Sequence, residues 1–512
     1  MVVTVDPLAH SFNSEETMFL RSCPVAALAI VIPISAGAAT RCDQVLQAFG
    51  TQLADATCFE SADLTTDNPL TTPLDNSIPG LPLLAFTPRT DRNILINAVA
   101  SPPEDKTSIT TTVPGLQINA RIASDPSGQA RFLLRLPDNW NGRLVVAGAP
   151  SQRSEFTNDY GWSDYVVQKG YAFASQNKGV LNAYLTTSAD PLGCRLSPTS
   201  TTYVHFYDND PGKPFTQWAK YMIDAATLAR TGIKAAYRGA PLRYTYAVGT
   251  SNGGYQVRRA VELAPKLFDG GVDWEGTYVD EHAPNILTDL PPGVLNFPDY
   301  VASSYAANST AAKNIGGAGY PPDIVNTAFS PASFWARYYT SYWEVTMCQW
   351  QKRLDPGYNT YGSGLDTYNY VQRLSYSDVG DNMADLATTG LIQAPLITVA
   401  GTMDALLPID HHARAYARKV EAGREDDGHG HDKKRQPAYR LYEVQNGNHI
   451  EFYKTFYPQL EYILPHAQHA FDLLVANVER RAVLPPDQCI PRGGTIAATP
   501  AQPGHCANLF AP

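Results

Sequence analysis

The chain has 512 residues, of which 44% are hydrophobic and 17% are charged. That balance supplies a large apolar core and excludes a mostly disordered chain. The net charge is −10 at pH 7, from 39 basic and 49 acidic residues, and no long run of Lys or Arg is present. Binding to nucleic acid without sequence preference needs clustered cations that displace counterions from phosphates, so we expect no nucleic-acid partner.

The first 38 residues are predicted to be an export signal preceded by a polar extension. Arg21 is followed by the apolar run 25–34 and then by the small residues 36–38, which is the order found in secretory signal peptides. A start at Met18 would explain the polar stretch 1–16. The apolar run is too short to span a bilayer, so we expect a secreted or periplasmic protein without integral membrane association. A buried apolar strand is the alternative interpretation.

Six cysteines remain once such a signal is removed, and an even number in an exported chain favours disulfide bonds. Two pairs are close in sequence near the two ends, which leaves a third pair for the middle. The loop-closure argument therefore favours Cys42–Cys58, Cys194–Cys348 and Cys489–Cys506 among the roughly 15 pairings that six cysteines allow. There is no C-x-x-C motif and no cysteine beside paired histidines, so no zinc site is expected.

Strand and helix patterns alternate from residue 131 onwards. The preceding region, 39–130, is predicted to form a flap of loops and short strands. Strands are predicted over 131–136, 143–147, 171–175, 243–248, 270–274, 391–400 and 439–444. Helices are predicted over 162–169, 215–232, 255–263, 407–422 and 466–481, the second of them ending at a glycine. The alternation indicates an α/β fold with a mainly parallel central sheet and helices on both faces.

The segment between the strands at 270–274 and 391–400 has a different composition. Residues 300–376 contain 16 of the 54 Phe, Trp and Tyr residues of the chain. Such side chains can form the apolar wall of a cap over an active site, or the core of a small helical subdomain. We predict a core of 131–276 and 391–482, a cap (lid) over 277–390 and a carboxy-terminal tail over 483–512.

A Gly-x-Ser-x-Gly motif, residues 249–253, follows the predicted strand at 243–248 and precedes a helix. In that setting the glycines leave room for a sharp turn that presents the serine hydroxyl above the sheet. We therefore predict Ser251 as a nucleophile. The helix that follows directs free N–H groups toward the site, and that of Asn252 can donate to an oxyanion.

A second oxyanion donor is expected from the loop after the strand at 143–147. Pro150 has no N–H group, so Ala149 or Ser151 must donate.

A serine nucleophile needs a general base that is held in place by an acid. Asp404 follows an apolar strand and a glycine turn, and His449 lies in a turn after the next strand. The order Ser251, Asp404, His449 is the chain order expected of an α/β-hydrolase. The alternatives are that Asp404 only caps a helix and that His449 is an ordinary histidine.

Asp273 and Glu275, at and after the end of the strand at 270–274, are alternative acids that rank second to Asp404. They lack a matching turn downstream, and Trp274 with Glu275 is predicted instead to line the substrate pocket.

Other histidines fit the role of base less well. His411 and His412 begin a predicted helix, and His429 and His431 lie in the charged stretch 424–435. That stretch is predicted to be a solvated surface loop, with metal chelation by its histidines as the alternative.

Residues 131–480 resemble the α/β-hydrolase fold. The segment Asn139-Trp-Asn-Gly-Arg-Leu-Val-Val-Ala-Gly148 resembles exported esterases of the tannase and feruloyl esterase group. Gly249-Thr-Ser-Asn-Gly-Gly-Tyr255, with Leu267-Phe-Asp-Gly-Gly-Val272 behind it, resembles the hydroxybutyrate oligomer hydrolases. Both groups hydrolyse carboxylic esters with a Ser–His–Asp triad beneath a large cap, so the resemblance implies these roles for Ser251, His449 and Asp404.

The sequence thus predicts an exported serine esterase that acts through an acyl-enzyme and needs no cofactor or metal. Its expected substrates are small-molecule or oligomeric esters, either aromatic (feruloyl or tannin-like) or made of hydroxyalkanoate units. A peptidase or amidase on the same scaffold is one alternative. A noncatalytic binding protein of the same fold is the other.

Overall fold

The computed structural model describes residues 39–68, 70–71, 106–150, 155–180, 183–185, 192–197, 199–201, 203–205, 213–358, 368–425 and 437–512. The predicted export signal, His429 and His431 lie outside these residues. In the described part of the chain, no helix has the length and apolar composition that a membrane span requires.

An eleven-stranded sheet forms the centre of the structure from residue 53 onwards. The strands are β1 (Leu53–Ser61), β2 (Gly115–Ile122), β3 (Arg131–Pro137), β4 (Arg143–Gly148), β5 (Ala172–Gln176), β6 (Ala183–Leu185), β7 (Tyr203–His205), β8 (Tyr244–Thr250), β9 (Gly270–Trp274), β10 (Leu396–Gly401), β11 (Tyr439–Val444), β12 (Gln488–Ile490) and β13 (Gln502–Pro503). Strands β6 and β7 pair separately, and the others follow the order β1-β2-β3-β5-β4-β8-β9-β10-β11-β12-β13.

The strands from β5 to β12 in that spatial order run parallel, whereas β1, β2 and β3 are joined to them in antiparallel pairs. Parallel strands bring their carboxyl ends to one edge of a sheet, and ligand sites of open α/β sheets form there. The loops after β4, β8, β9, β10 and β11 therefore meet at one edge. These loops carry all the residues predicted for the site.

Helices cover both faces of the sheet. They are α1 (Arg41–Phe49), α2 (Asp164–Val167), α3 (Gln217–Ala236), α4 (Asn252–Leu263), α5 (Ile286–Ala302), α6 (Thr310–Gly317), α7 (Phe334–Tyr338), α8 (Glu344–Leu354), α9 (Tyr370–Arg373), α10 (Val379–Leu386), α11 (Ala413–Glu425) and α12 (Leu464–Arg480).

Successive side chains of a strand point to opposite faces. In β4, Leu144 and Val146 accordingly join the apolar cluster under α1, α3, α4 and α11, while Val145 and Ala147 join the cluster under α2 and α12. The layering and strand order confirm the predicted α/β-hydrolase fold.

Helices α5 to α10, between β9 and β10, lie within the predicted cap and are called the inserted helices below. Their buried side chains belong to an apolar cluster that includes Trp335, Tyr338 and Trp350, and this cluster also contains Trp218 of α3 and Tyr255 of α4. The same cluster contains Leu407, from the loop after β10. The aromatic residues are thus the core of the inserted helices, and this core reaches the carboxyl edge of the sheet.

Two of the differences from the predicted elements have local reasons. Helix α3 continues four residues past Gly232, where a Cβ would lie 2.5 Å from the Leu134 side chain. This glycine permits close packing and does not end the helix. Strand β2, inside the predicted flap region, extends the central sheet and has polar residues on a buried face. Its Gln117 is fully buried, donates to the Thr71 carbonyl at 2.7 Å and accepts from Arg135 Nε at 2.9 Å.

All three predicted disulfides are confirmed. Cys42–Cys58 joins α1 to β1, Cys194–Cys348 joins the chain before α3 to α8, and Cys489–Cys506 joins β12 to the chain after β13. Their Cα–Cα distances are 5.4, 5.8 and 4.7 Å, all within the range that a disulfide spans without backbone movement.

A buried acidic pair lies beside the first strands. Asp159 accepts from Arg135 at 2.6 Å, and Asp164 accepts from the Thr66 N–H at 2.9 Å and from its hydroxyl at 2.5 Å. Burial, together with the nearby Asp159 charge, raises the pKa of Asp164 to about 7. A raised pKa means that the folded protein holds this proton where the unfolded chain, with an ordinary Asp pKa, has lost it. The protonated Asp164 therefore adds to the free energy of unfolding in acid, and this contribution is lost as pH rises through about 7.

We expect Asp164→Asn to be stabilising at pH 8 relative to the wild type, by up to about 4 kcal/mol, since each unit of pKa shift corresponds to about 1.4 kcal/mol. The amide keeps an acceptor for the Thr66 N–H and carries no charge. Urea unfolding at pH 5, 6, 7 and 8 measures the effect, with the exposed Asp381→Asn as the matched control. A difference between variant and wild type that is constant over this pH range would contradict the argument.

Candidate active site

Ser251 lies at the sharp turn between β8 and α4, at the carboxyl edge of the sheet. Its φ and ψ are 58° and −122°, a backbone conformation that residues other than glycine rarely adopt. Its N–H donates to the Trp274 carbonyl at 2.9 Å. A Cβ on Gly249 would lie 2.4 Å from the Gly253 carbonyl oxygen, and one on Gly253 would lie 2.3 Å from the Gly148 oxygen. The two glycines of the motif are therefore required by close backbone contacts.

The structure brings Asp404 and His449 together in the loops after β10 and β11. His449 Nδ1 lies 2.8 Å from Asp404 Oδ2, and both side chains are buried. Asp404 Oδ1 accepts from the N–H groups of Leu406 and Leu407 at 2.8 and 2.7 Å. One carboxylate oxygen is thus held by the backbone while the other faces the imidazole. A hydrogen bond at Nδ1 leaves Nε2 as the basic nitrogen of the ring.

Glu275 is a second carboxyl group beside the same imidazole. Its Oε2 lies 3.6 Å from His449 Nδ1, and its Oε1 accepts from the Gly401 N–H at 3.0 Å. Burial raises the pKa of Glu275 well above its usual range, and the neighbouring Asp404 charge raises it further. Of the two carboxyls, Asp404 makes the hydrogen bond to the imidazole.

Asp273 bonds to other groups, and the Trp274 side chain lies beside Glu275. Asp273 accepts from Arg258 Nε at 2.6 Å, from the Thr398 hydroxyl at 2.9 Å and from the Gly276 N–H at 2.7 Å. Its carboxylate is therefore committed to a buried ion pair beneath α4. Trp274 belongs to the apolar cluster under α2 and α12, where it contributes to the core.

The expected oxyanion donors have different surroundings. Asn252 is the first residue of α4, so its N–H has no partner within the helix. The Ala149 N–H donates to Gln256 Oε1 at 2.7 Å in this structure, and the choice between Ala149 and Ser151 as the second donor stays a prediction. Sequence spacing could not reveal this, because Gln256 reaches back from the second turn of α4. Ser151 lies outside the described residues.

The atoms of Glu275, Asp404 and His449 that could bind a metal all lie within 4.8 Å of one another. Carboxylate and imidazole are ligand types for Zn²⁺. In this structure, however, backbone N–H groups hold one oxygen of each carboxyl. The expectation that the site needs no metal stays a prediction.

The inserted helices contact both loops of the acid–histidine pair, which the sequence did not predict. The Tyr338 hydroxyl donates to Asn448 Oδ1 at 2.6 Å, directly before His449 in the chain. Trp343 Nε1 donates to the Ala405 carbonyl at 2.6 Å, directly after Asp404. The aromatic density of 300–376 pointed to this segment, but composition does not say which ring reaches which loop.

Comparisons with known proteins agree with the sequence resemblance. Residues 369–509, which include Asp404 and His449, match the family model described as 3HB-oligomer hydrolase. The D-(-)-3-hydroxybutyrate oligomer hydrolase of Ralstonia nicotianae is 32% identical over 125 residues, which cover 23% of this chain and 16% of the relative. That of Burkholderia thailandensis is 31% identical over 130 residues, covering 24% and 17%. The matched segment thus spans about a sixth of these curated relatives.

Solved structures align over most of the chain. Feruloyl esterase B from Aspergillus oryzae has 13% identity, covers 84% of this chain and 88% of its own, and has a TM-score of 0.48. Tannin acyl hydrolase from Aspergillus niger has 12% identity, covers 86% and 88%, and also has a TM-score of 0.48. The chain has the α/β-hydrolase fold by its own sheet order, and its carboxy-terminal segment is similar to the hydroxybutyrate oligomer hydrolases.

Proposed function

We propose that this protein is a serine hydrolase of carboxylic esters. The observation that carries the proposal is the buried His449–Asp404 pair at the sheet edge where the turn after β8 presents Ser251. A serine hydroxyl is a weak nucleophile near neutral pH, and it is activated by a histidine that an acid holds in the correct orientation.

In the proposed mechanism, Ser251 Oγ attacks the ester carbonyl while His449 Nε2 takes its proton. Asp404 accepts the Nδ1–H bond and stabilises the imidazolium that forms. The N–H of Asn252 donates to the oxyanion of the tetrahedral intermediate. When the intermediate collapses, His449 returns the proton to the leaving alcohol and an acyl-enzyme remains. Water, activated by the same histidine, then attacks the acyl group and releases the acid.

Hydroxyalkanoate oligomers are the substrates that we favour, because the family match spans the segment that supplies both the acid and the base. Aromatic esters are the second candidate, supported by the aromatic residues of the inserted helices that reach this edge of the sheet. The three disulfides support an exported protein, since such bonds persist in oxidising compartments.

A substrate panel tests the proposal and separates its rivals. We expect higher kcat/KM on a hydroxybutyrate trimer or a feruloyl ester than on a palmitoyl ester. Each well-fitting apolar group contributes about 10–200-fold to discrimination, and the family match favours a hydroxybutyrate substrate over a long fatty acyl chain. An anilide of a short acid is included as a peptidase substrate. Preference for the palmitoyl ester would indicate a lipase, and preference for the anilide would indicate an amidase.

Covalent labelling tests the mechanism independently of the substrate. A fluorophosphonate should modify Ser251 alone, which mass spectrometry of the tryptic peptides detects. Ser251→Ala is the unlabelled control. Failure of the folded protein to react, with no hydrolysis of any panel member, would favour a noncatalytic binding protein. Loss of activity in EDTA that Zn²⁺ restores would instead place a metal between Glu275, Asp404 and His449.

A further inference from the structure

Glu275 occupies a position that the proposed mechanism leaves unused. It follows β9, which lies between β8 and β10, the strands that precede Ser251 and Asp404. Its Oε2 is 3.6 Å from His449 Nδ1 and has no hydrogen-bond partner among the residues that the structure describes. Its other oxygen is fixed by the Gly401 N–H. The carboxyl group is therefore fixed through one oxygen, while the other lies beside the imidazole and the Trp274 indole.

The backbone and burial of Glu275 both carry an energetic cost. Its φ is +50°, in the region that favours glycine, and the residue is only 3% exposed. Buried carboxyl oxygens without partners and strained backbones persist where the surrounding structure imposes them, and they concentrate at functional sites. Glu275 combines both features at contact distance from the proposed base.

The charges around Glu275 indicate when it ionises. Burial and the Asp404 charge raise its pKa, and the carboxylate of Glu451 also raises it. Glu451 is itself held by the N–H groups of Ile463 and Leu464. Neutralising Asp404 removes one of the two negative neighbours, so the pKa of Glu275 then falls toward its usual range. Ionisation would give an acceptor beside His449 Nδ1.

We propose that Glu275 is a second acid for His449, which holds the imidazole when Asp404 is neutral or absent. The inference rests on the proposed serine-hydrolase function. Glu275 acts through His449 and is therefore a positioning residue. In an Asp404→Asn protein, Glu275 loses its proton to solvent, and its Oε2 accepts the Nδ1–H of His449. His449 Nε2 then takes the proton of the Ser251 hydroxyl as in the wild type.

A double-mutant cycle tests this role with a chromogenic short-chain ester. Loss of the triad acid in a protein without a substitute costs about 10⁴-fold in kcat. We expect Asp404→Asn to lower kcat/KM by only about 10–100-fold, Glu275→Gln by a few-fold, and the two together by about 10³-fold or more. The matched control is Asp404→Asn with Glu262→Gln. Glu262 is a buried glutamate on α4 that accepts from Gly390 N–H and Tyr416, and this pair should match Asp404→Asn alone.

Fluorophosphonate labelling of Ser251 is followed to completion in each variant, because its rate depends on the same acid and base whereas its end point counts the folded sites, so misfolding cannot imitate a lost acid. The pH profile gives a second measurement. In Asp404→Asn, both Glu275 and His449 must lose protons, so kcat/KM should fall more steeply in acid than in the double variant. Equal rates per labelled site in Asp404→Asn and the double variant would overturn the inference. The two failures are distinguishable, because equal rates in these variants leave the proposed function standing, whereas turnover by Ser251→Ala within tenfold of the wild type contradicts it.

Discussion

Replacing Ser251 by alanine is expected to lower kcat for ester hydrolysis by about 10³-fold or more, the largest effect of any single change. The reason is that no other group can form the acyl-enzyme at the turn after β8. The members of a triad act as a unit, so Ser251→Ala with His449→Gln should be no slower than Ser251→Ala alone. Additive losses would show that the two residues act in separate steps.

The measurement is the burst and steady-state release of chromophore from a short-chain ester, with a matched serine control. Ser309→Ala serves, because Ser309 caps α6 by accepting from the Ala312 N–H and lies outside the site. We expect this variant to keep kcat within about twofold, although loss of a cap costs about 1 kcal/mol in stability. Turnover by Ser251→Ala within tenfold of the wild type would exclude the serine mechanism.

The sequence was sufficient for the sharp turn that carries Ser251, because the motif is contiguous and its two glycines are required by the backbone geometry. A Cβ on Gly249 would lie 2.4 Å from the Gly253 carbonyl oxygen within the turn, and one on Gly253 would lie 2.3 Å from the Gly148 oxygen on the neighbouring strand β4. The parallel strands were predicted for a similar reason. A strand buried on both faces is a short apolar run, and 270–274 and 439–444 have the bounds that were predicted.

The choice among acids depended on backbone conformation that no sequence pattern encodes. Asp273 and Glu275 are two residues apart after one strand, yet one pairs with Arg258 and the other faces His449. The positive φ of Glu275 turns the chain between these two environments. Likewise, Gln256 accepts a hydrogen bond from the Ala149 N–H, although the two residues are 107 positions apart in the sequence. Such contacts are set by tertiary packing and could not be predicted locally.

Removing one partner of the Arg258–Asp273 pair should give the largest loss of stability. Arg258 and Asp273 are fully buried with an Nε–Oδ2 distance of 2.6 Å, and the guanidinium lies 4.3 Å from the centre of the Tyr416 ring. Asp273 Oδ1 also accepts from the Gly276 N–H, in the chain that passes beneath the Ser251 turn. The pair thus stabilises the chain beside the turn that carries Ser251, and its described hydrogen bonds are to groups other than His449.

We expect Arg258→Met to lower the free energy of unfolding by about 3–5 kcal/mol, because it leaves the Asp273 carboxylate buried without its cation. Combining it with Asp273→Asn removes that charge, so the double variant should be more stable than the sum of the single losses predicts, by about 1 kcal/mol or more. Urea unfolding with the disulfides intact measures all three variants. The exposed Lys220–Asp224 pair on α3 gives the control, since Lys220→Met should cost about 1 kcal/mol or less.

In each folded variant, kcat per fluorophosphonate-labelled Ser251 should stay within a few-fold of the wild type. A large fall in kcat by Asp273→Asn at unchanged stability would assign the acid of the triad to Asp273.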